Sequence, residues 1–146
     1  MRAVVQRVKH AKVVVEGSTT GEIEEGLLVL LGIHDDDDQA KLEWMSDKLL
    51  KLRIFSDEDG KMNLSVSDIG GGILVVSQFT LYGNLKKGTR PSFIEAAGPD
   101  KANAMYEDMQ HYLKTNSDLN IQAGVFAADM KVSLLNDGPV TIILER

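Results

Sequence analysis

The chain has 146 residues, of which 43% are hydrophobic and 26% are charged. This length fits a single compact domain, 1–146, and the absence of cysteine excludes disulfides, thiolate catalysis and cysteine-based metal sites. With 16 Lys and Arg against 22 Asp and Glu, the net charge is −6, which would repel a long polyanion. Extended binding to DNA or RNA is therefore not expected.

The beginning of the chain predicts neither a leader nor a membrane anchor. Met1 is followed directly by Arg2 and a strand-like sequence, so we expect no signal peptide. The longest apolar run, Leu27–Leu31, is far shorter than the roughly 18 residues that a membrane-spanning helix needs. These features favour a cytoplasmic protein with no membrane partner.

Apolar periodicity predicts strands in the first quarter of the chain. Val4 and Val8 mark one short strand and Val13–Val15 a second, followed by a turn over Glu16–Gly21. The continuous apolar run Gly26–Ile33 is typical of a buried strand.

The middle of the chain predicts two amphipathic helices. Leu42, Met45, Leu49 and Leu52 recur at helical spacing, and the aspartates 35–38 before them are expected to be solvated charges at the helix start. A second helix is predicted from Pro99 to about Thr115.

Turns and strands fill the remaining segments. Asp57–Lys61 and Gly70–Gly72 are turns, and the second leads into the strand-like Ile73–Val76 rather than into the helix that a phosphate-binding loop requires. Further strands are predicted at 124–126, 130–135 and 140–144. The sequence thus predicts an α/β domain of mixed β-sheets with two main helices packed on one side.

The usual catalytic and metal-binding patterns are missing. His10, His34 and His111 have no helical ligand spacing, so no metal or other cofactor is expected. No serine lies in a nucleophile elbow. Two segments, Ser77–Leu81 and Asn136–Thr141, carry unusual polar groups beside strands. Hydrogen bonds to the neighbouring backbone would explain the first, and a tight turn would explain the second. A trans bond before Pro139 is the default expectation.

Together these segments resemble the two signatures of the bacterial-type D-aminoacyl-tRNA deacylase (D-tyrosyl-tRNA deacylase) family, Ser-Gln-Phe-Thr and Asn-Asp-Gly-Pro-Val-Thr. The resemblance covers essentially the whole chain. It also includes Met1–Val8, Gly26–Val29, Leu52–Phe55, Gly60–Asn63 and Lys87–Phe93.

The resemblance implies an activity and an assembly. Family members have β/β/α layers and hydrolyse the ester between a D-amino acid, or glycine, and the terminal ribose of tRNA. This recycles tRNA and provides chiral proofreading against D-residues. They are homodimers with active sites at the interface.

The resemblance also implies residue roles. Ser77, Gln78, Phe79 and Thr80 would line the pocket, while Phe126 and Met130 would contact adenine. A cis Gly138–Pro139 bond, held by Arg7, would reach into the partner's pocket, where its carbonyls exclude an L side chain by collision. The resemblance also implies that the substrate bound in this pocket is the acceptor end of aminoacyl-tRNA.

The mechanism suggested by these residues needs no protein nucleophile. An unassisted Thr80 hydroxyl is a poor nucleophile, so we expect backbone N–H groups and the Gln78 amide to stabilise the oxyanion, with the RNA 2′-hydroxyl assisting. Lys86, Lys87 and Arg90 form a small basic loop suited to phosphates of the acceptor end. Two alternatives remain: a non-catalytic module that binds an RNA 3′ end or a protein, and an esterase acting on small esters.

Overall fold

A computed structural model describes residues 1–146, which form eight strands and two α-helices. In chain order the elements are β1 (Arg2–Val15), β2 (Ser18–Ile23), β3 (Gly26–Gly32), α1 (Gln39–Lys51), β4 (Phe55–Ser56), β5 (Met62–Leu64), β6 (Gly72–Ser77), a 3₁₀ turn (Phe79–Tyr82), α2 (Pro99–Thr115), β7 (Asn120–Ala123) and β8 (Lys131–Glu145). Neither helix is long and apolar enough to cross a membrane.

One mixed sheet organises the fold. Its strand order is β2-β1-β3-β6-β7, and β8 pairs with β1 as well. The β3, β6 and β7 strands run parallel to one another, whereas β1 is antiparallel to β2, β3 and β8. The carboxyl ends of three parallel strands therefore meet at one edge, which is where ligands bind in open α/β sheets.

Side-chain alternation along the parallel strands creates two cores. Leu27 and Val29 of β3, with Ile73 of β6, face the core that contains both helices. Leu28 and Leu74 point the opposite way, into a smaller cluster formed with the second half of β1. Because β2 also contacts β6 and β7, the β1–β2 hairpin lies across the second face. The prediction of mixed sheets with two helices on one side is confirmed.

Both predicted helices are present, with local signals at their ends. The carboxylate of Asp38 accepts a hydrogen bond from the backbone N–H of Lys41, which caps α1 at 2.9 Å. Pro99 occupies the first turn of α2, where its missing N–H is tolerated. Leu42, Met45, Leu49 and the buried face of α2 enter the same core.

Three predicted features of the strands are wrong. The two short strands near the amino terminus form one continuous strand, β1, and the turn after it contains only Glu16 and Gly17, both at positive φ. The segment 124–126, predicted as a strand, is not one: β7 ends at Ala123, and the chain turns at 126–127, where Ala127 has a left-handed φ of 60°. The strands at 130–135 and 140–144 are both parts of β8.

The prediction that all four aspartates before α1 are solvated is also wrong. Asp37 is only 4% exposed. One of its oxygens lies 2.5 Å from the terminal ammonium of Met1, and the other accepts a hydrogen bond from the backbone N–H of His34. A buried carboxylate is stable here because a buried cation and an N–H group satisfy it.

Candidate active site

A cavity of about 600 Å³ opens at the carboxyl ends of the parallel strands. This volume lies in the range of small-molecule sites, and most lining side chains are apolar. Five residues predicted from sequence line it together, namely Ser77, Gln78, Phe79, Phe126 and Met130. The other lining residues are Val76, Phe93, Ala96, Ala97, Pro99, Ala102, Ala127, Ala128, Asp129 and Val132.

One wall is the turn that leaves β6. Ser77 is the last residue of that strand, and the backbone N–H of Gln78 donates to the Leu31 carbonyl at 2.7 Å, which fixes the exit from the sheet. The chain then enters the 3₁₀ turn, whose first backbone N–H groups have no partner within the turn. Phe79 is 57% exposed and packs edge-on against Phe93 at 5.0 Å between ring centroids.

Thr80 belongs to this turn but does not line the cavity. Its hydroxyl oxygen accepts a hydrogen bond from Nε2 of Gln78. None of the three histidines lines the cavity, and Asp129 is its only charged lining residue. Asp129 itself lies in an exposed ion pair with Lys131 at 2.8 Å. The site therefore offers Thr80 no evident general base.

The 3₁₀ turn is held from behind by Arg2 and Tyr82. The Arg2 Nη1 group donates to the Leu81 carbonyl at 2.5 Å, and its guanidinium lies 4.9 Å from the centroid of the Tyr82 ring. Burial raises the pKa of Tyr82 to about 12, with a smaller contribution from the nearby charge of Asp37. Tyr82 is thus a neutral packing group at physiological pH.

The opposite wall is the segment from β7 to β8. Tyr106 of α2 places its hydroxyl 2.8 Å from the Val75 carbonyl and 2.9 Å from the Gly124 carbonyl. Its ring lies 6.0 Å from that of Phe126. Burial raises the pKa of Tyr106 well above its ordinary value, so the hydroxyl stays protonated and can donate. The phenol ties the Phe126 wall to the end of β6.

We expect Tyr106→Phe to lower the free energy of unfolding by about 1 to 3 kcal/mol, because the buried Val75 carbonyl and the partly buried Gly124 carbonyl would both lose the phenol O–H that they share. Urea unfolding measures the change. Tyr112→Phe is the matched control, since its hydroxyl contacts Asp47 near the surface, and a smaller loss is expected for it. Equal losses in the two variants would contradict the assigned role of Tyr106.

Arg7, Gly138 and Pro139 lie outside the cavity of their own chain. The Gly138–Pro139 peptide bond is cis. Arg7 Nε lies 3.3 Å from the Asp137 carbonyl and 3.2 Å from an Asp137 carboxylate oxygen, and its Nη1 donates to the Ile54 carbonyl at 2.6 Å. Arg7 therefore binds the residue that precedes Gly138.

The basic loop adjoins the cavity. Asn84 and Ser92 exchange backbone hydrogen bonds of 2.8 and 3.0 Å, closing the loop just before Phe93 enters the pocket wall. Lys86, Lys87 and Arg90 are exposed on this loop, and none of them forms an ion pair.

Sequence reasoning missed Tyr106, Asp129 and the start of α2 as parts of the site. In the sequence, Tyr106 is recognisable only as part of the predicted second helix, although the hydrogen-bond partner that a buried phenol requires was a usable signal. The alanines and Pro99 of the wall carry no polar signal at all. No group of three or more His, Asp or Glu side chains is arranged to hold a metal ion.

Comparisons with known proteins agree with this fold. Residues 4–145 match the family model described as D-Tyr-tRNA(Tyr) deacylase. The chain is 59% identical to the D-aminoacyl-tRNA deacylase of Chloroherpeton thalassium over 145 residues, covering 99% of this chain and 95% of that protein. It is 53% identical to that of Pelobacter propionicus over the full length of both. The chain belongs to this deacylase family, and the resemblance found in its motifs is confirmed.

Two solved structures share the fold. One, described as the c-Myc DNA Unwinding Element Binding Protein, has a TM-score of 0.95 and 44% identity, covering 100% of this chain and 99% of that one. Another is described as a probable eukaryotic D-amino acid tRNA deacylase. It has a TM-score of 0.82 and 18% identity over 98% of this chain and 97% of that one, a likeness that concerns the fold alone.

Proposed function

We propose that the protein hydrolyses the ester that joins a D-amino acid, or glycine, to the 3′-terminal ribose of tRNA. The observation that carries this proposal is the cavity that joins the Ser77–Phe79 segment to Phe126 and Met130. One side offers amide and N–H donors for an ester, and the other offers an aromatic ring and a thioether for a flat base. We assign this activity to the cytoplasm.

Catalysis in this proposal depends on position rather than on a protein nucleophile. Water adds to the acyl carbon, the bond from that carbon to the ribose oxygen breaks, and the ribose oxygen takes up a proton. Backbone N–H groups at the start of the 3₁₀ turn, with the Gln78 amide, stabilise the oxyanion; one such donor contributes about 2.7 to 4 kcal/mol. The substrate's 2′-hydroxyl assists proton transfer.

Chiral rejection is assigned to Gly138 and Pro139 of a second copy. From Met130 the chain runs eight residues along β8 to Gly138, a span of roughly 26 Å if extended. The two residues do not line their own chain's cavity, and in this proposal a second copy supplies them. Glycine escapes rejection because it has no side chain to collide with the wall.

A homodimer is consistent with the surface of β8. This strand pairs only with β1, so its other edge is free. Leu135 and Ile143 on it are 52% and 65% exposed. A long edge strand with exposed apolar side chains promotes aggregation of a monomer, and pairing or packing with a second copy would cover it.

The decisive experiment is the time course of deacylation of matched D-Tyr-tRNA and L-Tyr-tRNA by the purified protein. Rapid loss of the D-ester alone is expected. Loss of neither ester would overturn the catalytic proposal, and equal loss of both would overturn the chirality filter. Equally fast hydrolysis of a free D-aminoacyl ester without adenosine would favour the small-ester alternative.

We expect Thr80→Ala to retain D-Tyr-tRNA deacylation within about tenfold of the unmodified protein. The Thr80 hydroxyl oxygen accepts a hydrogen bond from Gln78 and lies outside the cavity lining, so its loss removes a positioning contact rather than a nucleophile. Single-turnover kinetics measure the effect. A loss of about 10⁴-fold or more would instead identify Thr80 as the nucleophile.

We expect tRNA binding to depend only modestly on salt. Three phosphates neutralised by Lys86, Lys87 and Arg90 correspond to a fall in affinity of roughly 20- to 40-fold between 50 and 200 mM salt. Alanine at all three positions should remove most of this dependence, whereas Lys51→Ala on the surface of α1 should not. A fall of about 10³-fold would show a larger tRNA footprint.

Binding without turnover is the second candidate function. It is favoured by the structural neighbour described as a DNA Unwinding Element Binding Protein. The same cavity and basic loop would then hold the end of an unpaired strand. Stoichiometric retention of aminoacyl-tRNA or single-stranded DNA, with no release of amino acid over many active-site equivalents, would support this candidate.

A further inference from the structure

The segment that carries Gly138 and Pro139 is a bulge within one pair of strands, not a turn between two strands. Gln6 of β1 pairs with Thr141, and Val8 pairs with Asn136. Between these pairs β1 contributes only Arg7, whereas β8 contributes 137–140. The backbone of β8 therefore leaves the ladder after Asn136, forms the bulge 137–140, and rejoins the same partner strand at Thr141.

The side chain of Asn136 closes the neck of this bulge. Its Nδ2 donates to the Val140 carbonyl at 3.0 Å and to the Arg7 carbonyl at 3.0 Å. A primary amide has two N–H donors, so each carbonyl can receive one of them. The first bond joins the two ends of the bulge, and the second fastens them to β1.

Arg7 cannot replace these bonds, because its contacts lie elsewhere. Its guanidinium binds the Asp137 carbonyl and carboxylate and the Ile54 carbonyl. Of the bulge it thus holds the first residue, while the return of the chain at Val140 is held by Asn136. Gly138 and Pro139 lie between these two attachments.

We propose that Asn136 is a positioning residue for chiral discrimination, which acts by fixing the width of the bulge neck and so the direction of the Gly138 and Pro139 carbonyls. This inference rests on the proposed function. A wall that rejects an L side chain by collision has to be held within a fraction of an ångström, because small displacements open space for the side chain. Rejection of L-substrate should be more sensitive to Asn136 than chemistry on D-substrate.

The test compares kcat/KM for D-Tyr-tRNA and L-Tyr-tRNA in Asn136→Ala with the same ratio in the unmodified protein. We expect the D-to-L ratio to fall on the order of tenfold or more. Asn116→Ala is the matched control, since its Nδ2 also donates to one backbone carbonyl, that of Tyr112 at the end of α2. Its ratio should not change.

Asn136→Thr keeps the inference testable if the alanine variant does not fold. Threonine suits a strand and retains one hydroxyl donor, so a smaller fall in the same ratio is expected. An unchanged D-to-L ratio in a folded Asn136 variant would overturn the inference and leave the proposed function standing. Absence of D-Tyr-tRNA hydrolysis by the unmodified protein would overturn the proposed function itself.

Discussion

Gly138→Ala is expected to lower kcat/KM on D-Tyr-tRNA by about 10²-fold and to weaken discrimination against L-Tyr-tRNA. Gly138 has a φ of +119°, which L side chains rarely adopt. An added Cβ would lie 2.8 Å from Val140 Cγ2 and 2.9 Å from Arg7 Nη2. The bulge therefore has to shift, and a displacement near 1 Å at a positioning group costs about 10²-fold in rate. Single-turnover deacylation of both esters measures it.

Gly60→Ala is the control that distinguishes the effect of backbone strain at a positive φ from the effect of displacing the bulge. Gly60 also has positive φ, +75°, but a Cβ there would meet nothing within 4 Å. We expect this control to lose about 1 to 2 kcal/mol of stability and to keep its D-to-L ratio. If Gly138→Ala kept the D-substrate rate and D-to-L ratio of the unmodified protein, the bulge would have no part in substrate discrimination.

The helices and the central strands could be predicted because their signals are local. Each of these elements has its own signal in the sequence: α1 has apolar residues spaced three and four apart, α2 begins with Pro99, and β3 is one apolar run. In those segments local preference and tertiary packing agree, and the structure follows the prediction.

The bulge in β8 could not be predicted in this way. An Asp-Gly-Pro sequence between two apolar runs has the composition of a hairpin turn. Whether the chain reverses there or continues along the same strand depends on which partner lies opposite. Both halves of β8 pair with β1, and that choice is a long-range property of the sheet.

The site was only partly predictable for the same reason. The Ser77–Phe79 segment, Phe126 and Met130 meet because β6 and the β7–β8 segment end side by side. Arg7, Gly138 and Pro139 lie outside that cavity. One-dimensional motifs identify all of these residues together, but they do not say which of them share a pocket within one chain.

Asp37→Ala is expected to lower the free energy of unfolding by about 3 to 5 kcal/mol, the range for removing one partner of a buried ion pair. The Asp37 carboxylate and the Met1 ammonium are both fully buried, and the ammonium nitrogen lies 2.5 Å from Asp37 Oδ1. Lys41 Nζ lies 3.4 Å from the same oxygen. In the Asp37→Ala variant, the Met1 ammonium and the His34 N–H would both lose the carboxylate that they contact. Urea unfolding followed by circular dichroism measures the loss.

Alanine substitutions of the neighbouring aspartates are controls that show whether the loss at Asp37 comes from its burial or from removing any aspartate of this run. Asp36 is exposed, so Asp36→Ala should change stability by no more than about 0.5 kcal/mol. Asp38→Ala removes the helix cap on Lys41 N–H and should cost about 1 kcal/mol. Similar losses at all three positions would mean that the acidic run acts through net charge. A large loss at Asp37 alone would show that the buried ion pair between the Met1 ammonium and the segment before α1 stabilises the fold.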